Sequence, residues 1–191
     1  MSTRILRCFF ALLSIAGFAA GPAFAQGGGP PPGFRLAPLL MATTAFEDGG
    51  VVPAKYSFRG GNVQPGFTFS NAPNDVVSYA IIFHDIDVAI GGGTGDVAHW
   101  VAWNIPASAG GIPEGGLPEG SVQGKNMTGQ NSYFGPGAPP GPRYHHYVFE
   151  LYALNSNLDL PDTAGRDELL AAMAGKTVAK AAYVGRFKGS E

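Results

Sequence analysis

Three apolar runs of strand length dominate the pattern of hydrophobic and polar positions along the chain. They are Val76 to Phe83, His99 to Ile105 and Tyr144 to Leu154, and all three are rich in aromatic and β-branched residues. The nearly continuous run from Val76 to Phe83 is typical of a strand that is buried on both faces. A shorter run, Phe67 to Phe69, lies between turn residues and predicts a further strand. The pattern therefore predicts a β-rich domain.

Helical signals are few along the chain. The segment Asp167 to Ala174 has apolar residues on one face, acidic residues in its first turn and Gly175 where a helix commonly ends, so it predicts one short helix. The segment Thr177 to Phe187 is ambiguous, because its alanines favour a helix whereas its β-branched and aromatic residues favour a strand. Gly91 to Gly95 predicts a flexible hairpin tip. The expected fold class is mainly β, with one or two short helices.

The N-terminal segment has the pattern of a secretory signal peptide. Arg4 and Arg7 precede an apolar run from Cys8 to Ala20, and Ala23-Phe24-Ala25 offers a cleavage site. The apolar run is shorter than the roughly 18 to 20 residues that a helix needs to span a bilayer. We therefore expect an exported protein, periplasmic or secreted, without a transmembrane anchor.

The predicted organisation has three parts: a signal peptide over residues 1–25, a flexible Gly/Pro-rich leader over residues 26–33 and one domain over residues 34–191. Export would remove Cys8, the only cysteine, so the domain needs no disulfide framework. The whole chain has 12 basic and 14 acidic side chains. It lacks the basic excess of nucleic-acid-binding proteins, and we expect no nucleic-acid partner.

Side chains with acid–base chemistry lie inside or beside the predicted strands. Asp85 and Asp87 come directly after the run that ends at Phe83. All four histidines, His84, His99, His145 and His146, lie in the predicted strands or at their ends. Burial of a charged group without a partner is costly, so these residues need either solvent or a site.

The two-residue period of a strand separates the adjacent histidines. His145 and Tyr147 point to one face, and His146 points to the other. An imidazole and a phenol side by side can both donate hydrogen bonds to an anion. The alternative is structural, with an edge-exposed histidine and a core tyrosine.

Five short blocks, taken in order, resemble the motifs of the phosphatidylethanolamine-binding protein family. The blocks are His84 to Asp87, His99 to Pro106, Gly129 to Ser132, Gly135 to Pro140 and His145 to Leu154. Each block alone is weakly specific, but their order is specific. The resemblance covers about residues 45 to 187, and the bacterial branch, often called Raf-kinase-inhibitor-like, is the most similar.

The resemblance implies a β fold with a central antiparallel sheet and a small anion-binding pocket at one end, without a metal or another cofactor. Residue by residue, the pocket pattern falls on Asp85, Asp87, His99, His145 and Tyr147, with Pro140 in a proline-rich loop at the rim. The sequence departs from the family at two positions. Ile86 replaces a proline, and His146 replaces an arginine next to the pocket.

The expected charges indicate which ligand such a pocket would take. An anion would be attracted to His99, His145 and Tyr147, and more strongly at low pH, where imidazoles become cationic. Asp85 would repel an anion, and would instead orient an imidazole or meet an ammonium. A zwitterionic group such as phosphoethanolamine satisfies both signs. We therefore expect an exported soluble protein that binds a small anionic or zwitterionic group, with modulation of another protein as one use of that binding.

Other interpretations stay open. A small hydrolase or isomerase would use His145 or His99 as general base and Asp85 to orient it, although no evident activated nucleophile supports catalysis. The same aspartate and histidine could form a purely structural pair, or a two-histidine, one-carboxylate metal site. A calcium loop starting at Asp85 is not favoured, because Ala89 and Ile90 occupy positions that need an oxygen ligand and a glycine.

Overall fold

The computed structural model describes residues 38–190. The predicted signal peptide, the leader and the first few residues of the predicted domain lie outside the described residues. None of the described helices has the length and apolar character that crossing a membrane requires.

A six-stranded sheet forms the centre of the fold. Its strands, in spatial order, are β2 (Gly50–Val51), β9 (Thr177–Phe187), β8 (His145–Leu154), β4 (Ser78–Ile90), β5 (Gly95–Pro106) and β7 (Val122–Gln123). Only the short edge strand β2 runs parallel to its neighbour, and the other pairings are antiparallel. The three long apolar runs of the sequence supply β4, β5 and β8, which lie side by side. The central antiparallel sheet is thus confirmed.

A smaller antiparallel sheet packs against one face of the central sheet. It consists of β1 (Leu40–Ala42), β3 (Phe67–Ser70) and β6 (Gly111–Ile112). Between the sheets, Phe83 and Phe149 stack with ring centroids 4.0 Å apart, and Phe67 packs on Phe149 at 4.9 Å. On the opposite face, Trp103 and Leu169 belong to a second apolar cluster. Burial of both faces explains the nearly continuous apolar run in β4.

The single α-helix of the described residues, α1 (Arg166–Met173), covers the second apolar cluster. The Glu168 carboxylate accepts a hydrogen bond from the Gly165 backbone N–H at 3.0 Å, which satisfies a donor at the helix start. Gly175 follows the helix with a φ of 74°, a left-handed conformation that suits glycine. Two single-turn 3₁₀ segments, Ala54–Tyr56 and Ala107–Ala109, complete the helical content.

Two elements differ from the sequence pattern. The ambiguous segment from Thr177 is a strand, because it pairs with β8 along almost its whole length. In addition, β4 continues beyond Phe83 to Ile90, so Asp85 and Asp87 lie inside the strand rather than after it. The pairing of β4 with β5 is irregular between Asp85 and Ile90. Asp85 is still in register with Tyr147 of β8, whereas Asp87 lies beyond the last residue that pairs with that strand.

Candidate functional site

Four of the six predicted site residues surround one cavity of about 290 Å³. They are Asp85 on β4, His99 on β5, and His145 and Tyr147 on β8. The strand order places β4 between the other two strands, and the Cα register pairs Asp85 directly with Tyr147. Neighbouring strands therefore bring together distant residues such as Asp85 and His145, which lie 60 positions apart in sequence.

Asp85 is the acidic residue of this cavity, and only 2% of its surface is exposed. Its Oδ2 accepts a hydrogen bond from Nδ1 of His145 at 2.8 Å, and its Oδ1 accepts one from the backbone N–H of Asp87 at 3.0 Å. The Tyr147 ring lies beside it on β8, paired with Asp85 in the strand register. Because the carboxylate is held on several sides, its position in the cavity is well defined.

Tyr147 is buried on the wall of the cavity, with its hydroxyl at the loop that carries Gly137. The hydroxyl oxygen accepts a hydrogen bond from the Gly137 backbone N–H at 3.3 Å, and this bond does not use the hydroxyl proton. Burial first, and then the negative charge of Asp85, raise the pKa of Tyr147 above its usual value. The hydroxyl lies on the cavity lining, where the sequence analysis expects a donor.

His99 is a neutral histidine with a defined tautomer. Its Nδ1 lies 2.8 Å from the carbonyl oxygen of Phe134, and a carbonyl can only accept, so Nδ1 carries the proton. Burial lowers the pKa of His99, although the Phe134 carbonyl and Asp85 oppose this effect. With Nδ1 protonated, Nε2 is a hydrogen-bond acceptor. His99 therefore favours a ligand that donates a hydrogen bond.

Asp87 and Pro140 do not line the cavity. The Asp87 carboxylate accepts hydrogen bonds from the His146 backbone N–H, the His146 ring and Arg143. Burial would raise the pKa of Asp87, but these hydrogen bonds and the charge of Arg143 lower it below its usual value. The irregular pairing after Asp85 directs Asp87 toward His146, away from the cavity. At the rim, Pro139 takes the place predicted for Pro140.

The proline-rich loop is fixed from outside the cavity. Pro140 forms an isolated parallel bridge with Gly189 near the C-terminus, and the Gly189 N–H donates to the Pro139 carbonyl at 3.3 Å. Gly189 also approaches this loop so closely that an added Cβ would lie 2.8 Å from the Ala138 carbonyl oxygen. Pro140 thus supports the rim, and Pro139 forms it.

Arg59 is the most important lining residue that the sequence analysis missed. It lies at the exposed mouth of the cavity, and within residues 38–190 it forms no ion pair with a carboxylate. The segment that carries it is an irregular loop without an apolar period or a motif, so no sequence signal identified it. Its guanidinium is the cationic side chain among the described lining residues, apart from the histidines.

Apolar side chains form much of the remaining wall. They are Phe58, Val88, Val97, Met127 and Phe134. Phe58 and Phe134 pack in a tilted arrangement with ring centroids 4.4 Å apart, and Phe58 and Met127 remain about half exposed at the mouth, at 47% and 54%. The cavity thus has a polar interior, an apolar wall and a cationic mouth. Within the described part of the chain, no cluster of three His, Cys, Asp or Glu residues is arranged to hold a metal ion.

A second buried histidine lies behind the site. His84 donates from Nδ1 to Asp96 at 2.7 Å, and the same carboxylate pairs with Arg166 at the start of α1. Burial and the positive charge of Arg166 lower the pKa of His84. His84 does not line the cavity, but it is buried like His99.

The fold and the site together define a class of protein: a β protein whose central sheet carries a small cavity between a buried carboxylate, two histidines and a tyrosine. A family model described as phosphatidylethanolamine-binding protein matches residues 42–188. The chain belongs to the phosphatidylethanolamine-binding protein family.

Relatives of similar sequence are bacterial and archaeal. A UPF0098 protein of Pyrococcus horikoshii is 36% identical over 155 residues, which cover 78% of this chain and 76% of that protein. LppC of Mycobacterium tuberculosis, which is named as a lipoprotein, is 36% identical over 152 residues, which cover 80% of this chain and 73% of LppC. These similarities confirm the predicted bacterial type of the family.

Solved structures show the same fold. A phosphatidylethanolamine-binding protein homologue from Chlamydia trachomatis matches with a TM-score of 0.73 at 30% identity, over 82% of this chain and 100% of that one. YbcL of Escherichia coli, described as a new member of the mammalian family, matches with a TM-score of 0.71 at 27% identity, over 80% of this chain and 99% of YbcL. The predicted mainly β fold is therefore confirmed.

Proposed function

We propose that the cavity binds a small zwitterionic group, with its cationic end against Asp85 and its anionic end against Arg59. Phosphoethanolamine is the simplest compound of this kind. The opposite charges at the two ends of one cavity, buried Asp85 inside and exposed Arg59 at the mouth, are the observation that supports this proposal.

The hydrogen-bonding groups of the interior support the same orientation. Asp85 and Nε2 of His99 are acceptors, whereas the Tyr147 hydroxyl can both donate and accept. An ammonium has three N–H donors and no acceptor, so it complements these atoms. A phosphate at the same depth would be unfavourable, because it would face the Asp85 carboxylate and the lone pair of His99. At the mouth, the planar guanidinium of Arg59 matches the geometry of a phosphate or carboxylate.

We further propose that the protein is exported. The charged and apolar pattern of residues 1–25 predicts a signal peptide, and a relative named as a lipoprotein is consistent with export. The protein would then act outside the cytoplasm as a binding protein for small zwitterions, and a liganded form could modulate a partner protein there.

Catalysis is the second candidate, because His145 and Asp85 are 2.8 Å apart in the geometry of a general base and its orienting group. A hydrolase or isomerase of this kind would also need a nucleophile or a positioned water. The described lining residues include no serine, threonine or cysteine. The lining therefore favours binding over covalent catalysis.

Calorimetric titration can test the proposed orientation with three ligands: phosphoethanolamine, ethanolamine and inorganic phosphate. We expect Arg59→Gln to weaken phosphoethanolamine binding about tenfold, as loss of a charge-assisted hydrogen bond would, and to leave ethanolamine binding unchanged. Asp85→Asn should weaken both. Arg143→Gln is the matched control, since Arg143 is an exposed arginine that pairs with Asp87 outside the cavity. Equal phosphate affinity in the wild type and in Arg59→Gln, or no binding of any ligand, would refute the proposal.

A further inference from the structure

Two loops form part of the cavity wall. One loop carries Arg59 and the other carries Phe134. The loops meet backbone to backbone, because a Cβ added to Gly135 would lie 2.2 Å from the Tyr56 carbonyl oxygen. The Tyr133 hydroxyl donates to the same carbonyl at 3.0 Å. Since this contact is closely packed, the position of one loop depends on the position of the other.

Asn62 joins the two loops through its side-chain amide. Its Oδ1 accepts a hydrogen bond from the Gly135 backbone N–H at 2.8 Å, and its Nδ2 donates one to the Tyr133 carbonyl at 3.3 Å. The Asn62 backbone N–H donates to the Ser57 carbonyl at 2.9 Å, which closes the loop that carries Arg59. Asn62 does not line the cavity, so its effect on the site passes through these neighbours.

The amide of Asn62 and His99 bond to the same two peptide groups from opposite sides. The Tyr133–Phe134 peptide group presents its C=O to Asn62 and its N–H to the His99 carbonyl, at 3.1 Å. The Phe134–Gly135 peptide group presents its N–H to Asn62 and its C=O to Nδ1 of His99, at 2.8 Å. The N–H and C=O of a trans peptide group lie in one plane and point in opposite directions. Fixing the end at Asn62 therefore fixes the end at His99.

We propose that Asn62 is a positioning residue of the cavity, and that it holds His99 as the Nδ1-protonated tautomer through the Phe134–Gly135 peptide group. Without the amide of Asn62, this peptide group can rotate, and His99 loses its fixed acceptor. The proton can then lie on Nε2, which replaces an acceptor for an ammonium with a donor. The tautomer of His99 follows from these hydrogen bonds, whereas its effect on ligand binding rests on the proposed function.

The backbone of Asn62 makes a clean substitution possible. Asn62 has a φ of 51°, a left-handed conformation that is uncommon for residues other than glycine. Glycine adopts it freely, so Asn62→Gly removes the side-chain amide and keeps the backbone. Asn71, in the turn after β3, has a φ of 57°, and its Nδ2 donates to the Pro38 carbonyl at 2.8 Å. Asn71 does not line the cavity, so Asn71→Gly is the matched control.

Nitrogen NMR of the histidine rings, without ligand, measures the tautomer directly. We expect His99 to carry its proton on Nδ1 alone in the wild type and in Asn71→Gly, and to be a mixture of both tautomers in Asn62→Gly. Loss of signals in His99→Gln identifies the ring. A single Nδ1-protonated tautomer in Asn62→Gly would overturn the proposal, because the peptide group would then be held without Asn62.

A second variant separates the two hydrogen bonds of the amide. Asn62→Asp keeps an acceptor for the Gly135 N–H but cannot donate to the Tyr133 carbonyl. Aspartate also tolerates the left-handed conformation. Because the Phe134–Gly135 peptide group is the one that faces Nδ1 of His99, we expect this variant to retain the wild-type tautomer. The same mixture of tautomers as in Asn62→Gly would contradict the route through that peptide group.

Calorimetric titration measures the consequence for binding. We expect Asn62→Gly to weaken both ethanolamine and phosphoethanolamine about three- to tenfold, the effect of losing one neutral hydrogen bond at the inner end. Arg59→Gln, by contrast, should leave ethanolamine binding unchanged. A joint loss therefore identifies His99, rather than displacement of Arg59 alone, as the cause. Asn71→Gly should keep the wild-type affinity for both compounds.

The two measurements separate this inference from the proposed function. Altered tautomers in Asn62→Gly, with no binding of either compound by the wild type, would overturn the proposed function and leave the positioning of His99 in place. Altered tautomers with wild-type affinity in Asn62→Gly would overturn the role of Asn62 in binding. Equal effects of Asn62→Gly and Asn71→Gly would overturn the proposal, since a general loss of stability would explain both.

Discussion

Nδ1 of His145 lies 2.8 Å from Oδ2 of Asp85, across the adjacent strands β8 and β4. The side chains of both residues are largely buried, at 14% and 3% exposure. The carboxylate fixes which ring nitrogen of His145 carries a proton, and leaves Nε2 free of this pairing. The pair is therefore a rigid polar group inside an otherwise aromatic end of the sheet.

The two adjacent histidines should differ in their effect on binding. His145→Ala removes a partner of Asp85 in the cavity, and we expect it to weaken phosphoethanolamine binding about ten- to a hundredfold. His146→Ala should change affinity little, because His146 faces Asp87 outside the cavity. Calorimetric titration of both variants checks this prediction. Equal losses, or a larger loss for His146→Ala, would contradict the proposed site.

Acidification should destabilise the fold before the carboxylates titrate. Burial lowers the pKa values of His84 and His99, so the unfolded chain, with histidines near 6.5, binds more protons than the folded chain as the pH falls below about 7. The contribution of these two histidines to the free energy of unfolding is therefore fully present above about pH 7. It is lost as the pH falls through the lowered pKa values. Urea denaturation at pH 7.5 and pH 5.0 should give a lower midpoint at pH 5.0. A midpoint that rises on acidification would show that these histidines are not buried as neutral groups.

The aromatic stack beneath the site should dominate stability. Phe83 is fully buried against Phe149, and we expect Phe83→Ala to lower the free energy of unfolding by about 3 to 5 kcal/mol. Ile86 lies on the same strand but is 52% exposed, so Ile86→Ala should change the free energy of unfolding by less than about 0.5 kcal/mol. Chemical denaturation measures both values. Similar losses in the two variants would be incompatible with the described packing of β4.

Export predicts a defined mature N-terminus. Cleavage after Ala25 would produce a protein that begins at Gln26 and has no cysteine. Intact-mass measurement of the protein from the producing cells, with a thiol assay, checks this. Recovery of Met1 on all of the protein, or its restriction to the cytosol, would argue against a signal peptide.

Local sequence was sufficient to predict the central strands and the helix. The apolar runs of β4, β5 and β8 are long enough to identify strands without tertiary information, and α1 has both its acidic first turn and Gly175. Local sequence did not distinguish a helix from a strand in β9. The alanines of that strand are accommodated through pairing with β8, which is a contact between segments distant in sequence. Long-range pairing overrides a weak local preference.

The candidate site was predictable in its interior and not at its mouth. Asp85, His145 and Tyr147 lie where β8 pairs in continuous register with β4 and β9, so sequence position and the two-residue period determine their face. His99 lies at a register shift in the pairing of β4 with β5. Asp87 follows an irregular pairing, so the period no longer predicts its direction. Arg59 lies in a loop, and only the folded chain brings it to the cavity. The positive charge at the mouth of the cavity depends on this loop residue.

A crystal structure of the protein with phosphoethanolamine tests the central claim most directly. The account predicts that the ammonium nitrogen lies within hydrogen-bonding distance of Asp85 and Nε2 of His99, with the phosphate at the Arg59 guanidinium. A phosphate at the inner end, between His99 and His145, with the ammonium directed toward solvent, would contradict it.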